Sequence, residues 1–327
     1  GESPSGTQTP VGLDGRAGLG FAAVAVDALA ALAWMGDGST LDRGPHGRAL
    51  ALAIDALLTR VESDPEAASP GYVALAGDGL SRMHGHGFAT LALSQAWTCS
   101  PRTERGARIE RALALAVQCI ERSQGVEGGW WYEPRKSLEH EGSITIALAQ
   151  ALRSANQAGV HVDPATIARA ILYVQRSQKP DGSFRYALGD PSSSVALTAA
   201  ALGTLDATGT YTGKIVDDGF DWLTRALAAR ATARSEAPNP FDPDAEPRAG
   251  RRVYCRHYER LCVAQCLWQH ADARAWSEWA RSETARVLTA QRSDGSWADP
   301  GFGDAYATAM VCLFLEVPLG LLPAFQR

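Results

Sequence analysis

The chain has 327 residues, of which 46% are hydrophobic, and a formal net charge of -5. This is enough apolar material for one large domain or two ordinary ones. The 31 basic residues are scattered among 36 acidic ones, so composition and charge exclude a nucleic-acid partner. The longest apolar run, residues 21–33, is interrupted by Asp27 and is too short for a bilayer, so we expect no membrane segment.

The first residues, GESPSGTQTP, are rich in Gly, Ser, Pro and Thr and begin without Met. We expect residues 1–16 to form a flexible segment, and a targeting or anchor region upstream would not be visible. The six cysteines do not suggest a secreted disulfide framework in a chain of this length. A reducing, cytoplasmic compartment is therefore the default expectation.

Two kinds of repeat follow along the chain. HGFATLALSQA at 86–96 and EGSITIALAQA at 141–151 lie 55 residues apart and share Gly, Thr, Ala-Leu and Gln-Ala. A second template occurs as QGVEGGW at 124–130, QKPDGSF at 178–184 and QRSDGSW at 291–297. The last interval is close to twice the first, and the degenerate copy would fall in a Pro-rich stretch at about 235–252, which we expect to be a loop. A period of this length indicates a repeat protein.

The segments between these landmarks have apolar residues at helical spacing, and none alternates convincingly as a strand. Helices that open with the Thr-containing template are apolar or small on nearly every face, whereas those that end at the Gln carry charge on one face. The sequence therefore predicts an all-α toroid of alternating inner and outer helices, in one domain at 17–327. Its six inner helices should begin near Ala17, His86, Gly142, Ser193, Cys255 and Gly303, with five outer helices between them.

The Q-x-x-[D/E]-G-[S/G]-[aromatic] template has a structural interpretation. Its Gly allows the backbone to reverse, its Asp or Ser can bond free amides at the next helix start, and its Gln and aromatic side chain can clamp neighbouring units. Together with the alternating helices, this turn resembles the QW-like turn of prenyltransferase/squalene oxidase repeat proteins. These belong to the α/α-toroid superfamily of terpenoid cyclases and protein prenyltransferases. The resemblance covers nearly the whole chain and implies a mainly apolar, isoprenoid-like ligand, or a peptide, in the central cavity.

The catalytic signatures of that superfamily are incomplete here. The chain has no D-x-D-D motif for protonating a substrate. Asp217-Asp218-Gly-Phe-Asp221 matches a diphosphate motif, but we expect these carboxylates to complement the start of an outer helix. The zinc-binding Asp-x-Cys pair of prenyltransferases is replaced by Val253-Tyr-Cys255, so a zinc site from Cys255, His257 and Asp304 is only a weak candidate.

The starts of the inner helices should gather around one mouth of the ring, where polar and titratable residues are concentrated. Such groups can perform acid–base work or bind an anion, and helix capping is the alternative explanation. The predicted ligand-binding residues are His84, His86, Glu139, His140, Glu141, Arg256, His257, Asp304 and Tyr306.

The activity stays open at this stage between three interpretations. The first is a terpenoid cyclase or prenyltransferase-like enzyme, the second a non-catalytic module that binds a ligand or protein, and the third a toroidal polysaccharide lyase. A closed apolar pocket would favour isoprenoids, an open polar groove with Arg beside a carboxylate would favour a sugar, and a filled ring would favour a scaffold.

Overall fold

The computed structural model describes residues 22–100, 102–236, 255–270 and 272–322. Within these ranges the protein has eleven α-helices, a short 3₁₀ helix at Val317–Leu319, and no strand beyond isolated bridges. The inner helices are α1 (Ala23–Gly36), α3 (Arg82–Cys99), α5 (Gly142–Gln157), α7 (Val195–Ala207), α9 (Arg256–Gln269) and α11 (Asp304–Glu316). The outer helices are α2 (Gly47–Thr59), α4 (Glu104–Ser123), α6 (Pro164–Arg176), α8 (Lys214–Glu236) and α10 (Ala273–Thr289).

The inner helices form a closed ring. Each one packs against the next in chain order, and α1 packs against α11. The outer helices pack on this ring from outside; α4, for example, buries Ile109, Leu113 and Ile120 and exposes Glu110 and Arg111. The all-α toroid with six inner helices is therefore confirmed for the part of the chain that the structure describes.

Two sequence expectations lie wholly or largely outside the described residues. The predicted flexible segment at 1–16 and the inner-helix start near Ala17 fall before residue 22, and the first described inner helix begins at Ala23. The Pro-rich loop at about 235–252 is described only at its first two residues, which belong to α8. No helix of the described residues is long and apolar enough to cross a membrane.

One predicted helix start is displaced by a full turn. The sequence places the start of the second inner helix near His86, but α3 begins at Arg82. The reason is local: Asp78 accepts the backbone N–H of Ser81, and the Ser81 hydroxyl donates to the same carboxylate, so the chain turns into the helix earlier. His86 consequently lies in the second turn, whereas Glu141 is the N-cap of α5.

The repeated turn is a built structural unit, as predicted. Gly128, Gly182 and Gly295 have φ of 90°, 96° and 84°, a region that L side chains rarely adopt. The Gln124 amide donates to Gly128 O and to Thr166 O of α6, both at 2.9 Å, and Gln178 repeats this pattern with Gly182 and Ile215 of α8. The Gln side chain thus ties the first two turns to the next outer helix, whereas Gln291 of the third turn donates, within the described residues, only to Gly295 O.

The acidic residue of the turn has a different role from the predicted one. Asp181 accepts the backbone N–H and the hydroxyl of Ser183, inside the turn itself. Asp294 makes the same two bonds with Ser296. The helix that follows Asp181, α7, is capped instead by Ser194, whose hydroxyl accepts the N–H of Leu197. The motif carboxylate therefore stabilises the turn and not a helix terminus.

The repeated Thr holds the aromatic residue of the turn. Thr145 Oγ1 accepts the backbone N–H of Trp130 at 3.1 Å and donates to Glu141 O at 2.8 Å. Thr198 and Thr308 accept the N–H groups of the corresponding aromatic residues, Phe184 and Trp297. The two sequence repeats are therefore two halves of one interaction, which joins each turn to the inner helix that follows it.

This pairing predicts the effect of removing one hydroxyl. Thr145→Val keeps the side-chain shape but leaves the buried Trp130 N–H without its acceptor, which should cost about 1–3 kcal/mol of unfolding free energy. Thr59→Val is the matched control, because Thr59 is exposed and bonds only within its own helix. Urea unfolding of both variants checks the prediction, and equal losses would contradict the proposed role of Thr145.

The seam where α11 meets α1 contains an unusual carboxyl group. Glu316 Oε2 is buried and has no hydrogen-bond partner among the described residues, and its side chain packs against Gly36. Burial, with a contribution from Asp37, raises the pKa of Glu316 to about 8. The folded protein therefore holds this group protonated at neutral pH, whereas the unfolded chain ionises it near its ordinary value.

The raised pKa predicts a pH-dependent stability. The stabilisation that the protonated Glu316 gives to the folded state is fully present below about pH 4.5 and is lost as the pH rises through about 8. Glu316→Gln should therefore change stability little at pH 5 and increase it by roughly 2 kcal/mol at pH 8.5, because it removes the buried ionisation. Thermal unfolding at both pH values checks this, with Glu110→Gln as the exposed control. A stabilisation independent of pH would contradict it.

Candidate functional site

The direction of the α3 side chains separates two of the predicted histidines. His86 is completely buried, its Nδ1 accepts the N–H of Val73 at 3.1 Å, and its Nε2 lies 3.2 Å from Ala116 O of the outer helix α4. Residues two apart on a helix point in directions that differ by about 200°. His84 therefore faces the opposite way, towards the ring axis.

His86 has a structural environment. Its Nδ1 is an acceptor, so its hydrogen is on Nε2 and is donated to Ala116 O. Burial lowers the pKa of His86 to about 4 and keeps it neutral. Both ring nitrogens are bonded to backbone groups, and the structure does not bring this side chain to the other predicted residues.

His84 begins a chain of hydrogen bonds across the inner ring. Its Nε2 lies 2.9 Å from Ser143 Oγ of α5, and Ser143 donates to Glu141 Oε2 at 2.6 Å. The same carboxylate oxygen accepts the N–H of Ile144 and so caps α5. Ser143 lies on the axis side of α5 by the same rule, because Thr145, two residues later, faces the turn. The sequence analysis predicted His84 and Glu141 but missed Ser143, which connects them.

The hydrogen positions give His84 a free basic nitrogen. The single Ser143 hydrogen goes to Glu141, so His84 Nε2 carries a hydrogen and donates it to Ser143 Oγ. Nδ1 then holds the lone pair, and it has no hydrogen-bond partner among the residues that the structure describes. Burial lowers the pKa of His84, against the opposing effect of Glu141. His84 is thus neutral at pH 7, and a proton taken up by Nδ1 would be stabilised by Glu141.

One tyrosine contacts this chain of hydrogen bonds, and two more lie on other inner helices. The ring of Tyr132 lies 6.1 Å from that of His84, and the Arg82 guanidinium lies 5.5 Å from the Tyr132 ring. Tyr258 of α9 and Tyr306 of α11 are strongly buried groups whose pKa values burial raises well above 10, and Glu141 contributes to the shift of Tyr258. Both phenols therefore keep their protons at neutral pH. We call His84, Tyr132, Glu141, Ser143, Tyr258 and Tyr306 the ring-mouth site.

Arg82 adds a strained backbone to this region. Its φ of 45° makes it the one non-glycine residue with positive φ in the part of the chain that the structure describes. Such conformations cost on the order of 1–3 kcal/mol and are concentrated at ligand sites. The strain supports a functional role for the start of α3.

The remaining predicted residues are placed elsewhere. His140 Nδ1 lies 2.9 Å from the hydroxyl of Tyr173 in α6, and Glu139 is exposed beside Arg135. Asp304 pairs with Arg292. Arg256 and His257 both contact Ala298 O, at 2.8 and 3.2 Å, on the side of α9 that faces the outer layer.

The weak zinc candidates do not form a ligand set. No group of three His, Cys, Asp or Glu side chains within the described ranges has the geometry to hold a metal. Asp304 is engaged with Arg292, and burial raises the pKa of the Cys255 thiol to about 11, which opposes the thiolate that zinc requires. The acidic run at 217–221 also has a structural partner, since Lys214 pairs with Asp218 at 2.6 Å across the first turn of α8.

Comparison with known proteins agrees with the fold. No family model matches the chain, and no curated protein matches it. Among solved structures, cellobiose 2-epimerase from Bacillus thermoamylovorans B4167 matches with a TM-score of 0.61 and 13% identity over 94% of this chain and 90% of the epimerase. Cellobiose 2-epimerase from Spirochaeta thermophila DSM 6192 gives 0.59 and 14% over 92% and 86%. A sugar epimerase from a ruminal bacterium gives 0.57 and 13% over 91% and 88%.

This chain shares the α/α-toroid fold with these three epimerases. The likeness supports the toroid class that the sequence predicts, but it does not support the narrower assignment to prenyltransferase/squalene oxidase repeat proteins. It also gives no support to the terpenoid cyclase and prenyltransferase interpretations.

Proposed function

We propose that the protein is a sugar-acting enzyme whose ring-mouth site performs acid–base chemistry at a carbon next to a carbonyl group. The observation that carries the proposal is the chain from His84 through Ser143 to Glu141 on the axis side of the inner helices. It pairs a neutral imidazole that has an available lone pair with a carboxylate that stabilises the imidazolium. A site of this kind can remove and return a proton.

The surroundings of His84 suit a sugar better than an isoprenoid. Hydroxyl groups of a sugar need donors and acceptors, which the phenols of Tyr258 and Tyr306, together with Arg82 and the adjacent Tyr132, provide. Carbocation chemistry needs an apolar aromatic lining. The names of the structural neighbours, cellobiose 2-epimerase and sugar epimerase, support the same substrate class.

In this proposal each residue has a separate task. His84 Nδ1 takes the proton from the carbon next to the carbonyl group, and the electron pair moves into an enediolate. A protonated phenol of Tyr258 or Tyr306 stabilises the charge that forms on the carbonyl oxygen. The imidazolium of His84 returns this proton once the enediolate of the open-chain sugar has rotated to present its other face to Nδ1, which inverts the carbon and balances atoms and charge without a cofactor. Ser143 and Glu141 position the imidazole.

Solvent deuterium tests the proposal directly. The protein is incubated in D₂O with cellobiose, and the carbon next to the anomeric carbon is followed by ¹H NMR. We expect deuterium at that carbon together with its epimer. A polysaccharide lyase would instead release an unsaturated product that absorbs in the ultraviolet when acidic polysaccharides are supplied. Sugar binding without exchange or elimination would overturn the proposal in favour of a non-catalytic binding module, and binding of farnesyl diphosphate alone would restore the isoprenoid interpretation.

A further inference from the structure

A cavity lies between the outer helices α8 and α10 and over the inner helix α9. It has a volume of about 540 Å³ and also reaches Trp297 and Ala298 before α11. Cavities of this size accept small molecules. This cavity lies away from His84 and Ser143 of the ring-mouth site, which belong to α3 and α5, and meets that site only where His257 packs against Tyr306.

Arginine side chains dominate the lining. Arg230 comes from α8, Arg256 and Arg260 from α9, and Arg286 from α10, and all four are half-buried. Four guanidinium groups from three helices face one cavity. Arginine presents its donors in a planar fork that matches a carboxylate or a phosphate.

Carboxylates fix these arginines in place. Glu283 of α10 accepts from Arg260 at 3.2 Å and from Arg286 at 2.7 Å. Glu259 pairs with Arg230 across α8 and α9. Each ion pair joins two helices or two successive turns of α10. The network therefore holds the guanidinium groups in position before a ligand binds.

Arg256 and Arg260 meet beside His257 at the floor of the cavity. Arg260 Nη1 lies 3.2 Å from His257 Nδ1 while its Nε bonds to Glu283, Arg256 Nη2 donates to Ala298 O at 2.8 Å, and Asp299 Oδ2 lies 3.9 Å from His257 Nε2. Burial, together with the positive charges of Arg260 and Arg256, lowers the pKa of His257 to about 4. Burial also lowers the pKa of Arg260, and the charges of Arg286 and Arg256 act in the same direction. An anion at this floor would relieve the repulsion between the guanidinium groups.

The lining also has an apolar part. Val263 and Leu267 continue the face of α9 that carries Arg256 and Arg260, and the half-buried Trp279 of α10 lines the same cavity. Phe314 packs edge-on against Trp279 at 5.8 Å and fixes its ring. The cavity therefore combines a cationic floor with an aromatic wall, which suits a ligand that has an anionic group attached to a ring.

We propose that this cavity binds a small organic anion, with its phosphate or carboxylate on Arg256 and Arg260 and its ring against Trp279. We refer to it as the arginine pocket. It contains two of the predicted residues, Arg256 and His257, and the His257 ring also packs edge-on against that of Tyr306 in the ring-mouth site, 6.4 Å away. The proposal does not depend on the sugar-acting function of the ring mouth.

Binding is measured by isothermal titration calorimetry with glucose 6-phosphate, glucuronate, inorganic phosphate and glucose. We expect both charged sugars to bind, inorganic phosphate to bind more weakly because it lacks the ring, and glucose not to bind at this cavity. Whichever of glucose 6-phosphate and glucuronate binds more tightly shows whether the cavity prefers a phosphate or a carboxylate. If neither binds, or if glucose binds equally well, the proposal is wrong.

The location is tested by variants. Arg256→Gln should weaken binding by about tenfold or more, because it removes a charged donor. Arg111→Gln, at an exposed position on α4, is the matched control and should bind as the parent does. If Arg256→Gln does not fold, the parent protein is treated with phenylglyoxal, which modifies arginine, with and without the anion. The bound anion should protect Arg256 and Arg260 from modification and should leave Arg111 unprotected.

His84→Gln separates this inference from the proposed function. It should abolish proton exchange and leave anion binding unchanged. Anion binding that is lost in His84→Gln but retained in Arg256→Gln would assign the anion to the ring mouth and overturn the arginine pocket. Proton exchange that fails in the parent protein, with anion binding intact, would overturn only the proposed function.

Discussion

Replacing His84 by Gln should reduce the rate of deuterium exchange into a sugar substrate at least about 100-fold, because a positioned general base contributes 10²–10⁴-fold. Gln keeps a hydrogen-bonding group near Ser143 but supplies no basic nitrogen. The expected loss is in kcat, and the affinity for the sugar should change little. The measurement is the initial exchange rate by NMR at saturating substrate.

Two further measurements distinguish catalysis from structural damage. His161→Gln, at an exposed position before α6, should exchange at the parent rate. Because the pKa of His84 is lowered by burial, the acid limb of the parent's pH–rate profile should lie below pH 6.5, with rate falling as Nδ1 becomes protonated. Ser143→Ala should shift this limb, since it breaks the link to Glu141. An unchanged rate in His84→Gln would remove this residue from the mechanism.

Trp130→Ala should destabilise the fold by about 3–5 kcal/mol, in the range of large aromatic truncations in cores. Trp130 is 1% exposed, and its Nε1 donates to Ile120 O at 2.8 Å. The substitution leaves a cavity and also removes the donor to a buried carbonyl group. Trp297 repeats the bond with Val287 O, so the same loss is expected there.

The adjacent residue offers a close control. Trp131 has the same side chain, but it is half-buried and contacts Tyr132 edge-on. Trp131→Ala should cost less than Trp130→Ala, because part of the Trp131 side chain stays exposed to solvent. Guanidinium chloride unfolding of both variants gives the comparison. Equal destabilisation would show that the turn, and not the burial of Trp130, determines stability.

The fold was predictable because its unit is short and repeated. Each copy of the turn needs a positive-φ Gly, a Gln that donates to the carbonyl group of that Gly and a buried aromatic residue, so these residue types recur at a regular spacing. The Thr that accepts the aromatic N–H recurs for the same reason. Local chemistry that is used several times leaves a pattern in one sequence.

The site was only partly predictable because it occurs once. His84, Glu141 and Tyr306 were predicted from their position near helix starts, but so was His86, which faces the outer layer. The distinguishing signal is register: the residue two before the repeated Thr faces the axis, which gives Ser143 in α5 and Tyr306 in α11. Tyr132 and Tyr258 carry no such signal, since they reach the site through tertiary packing.

The contact between α1 and α11 fixes the number of units in this protein. An open solenoid can gain or lose a repeat, because each unit contacts only its neighbours and the first and last units do not have to meet. Here an added unit would have to enter between two inner helices that already touch, and it would widen the whole circle. Duplication or deletion of one unit should therefore be far less tolerated in this lineage than exchange of loops, and variation in length should be confined to the connections between helices.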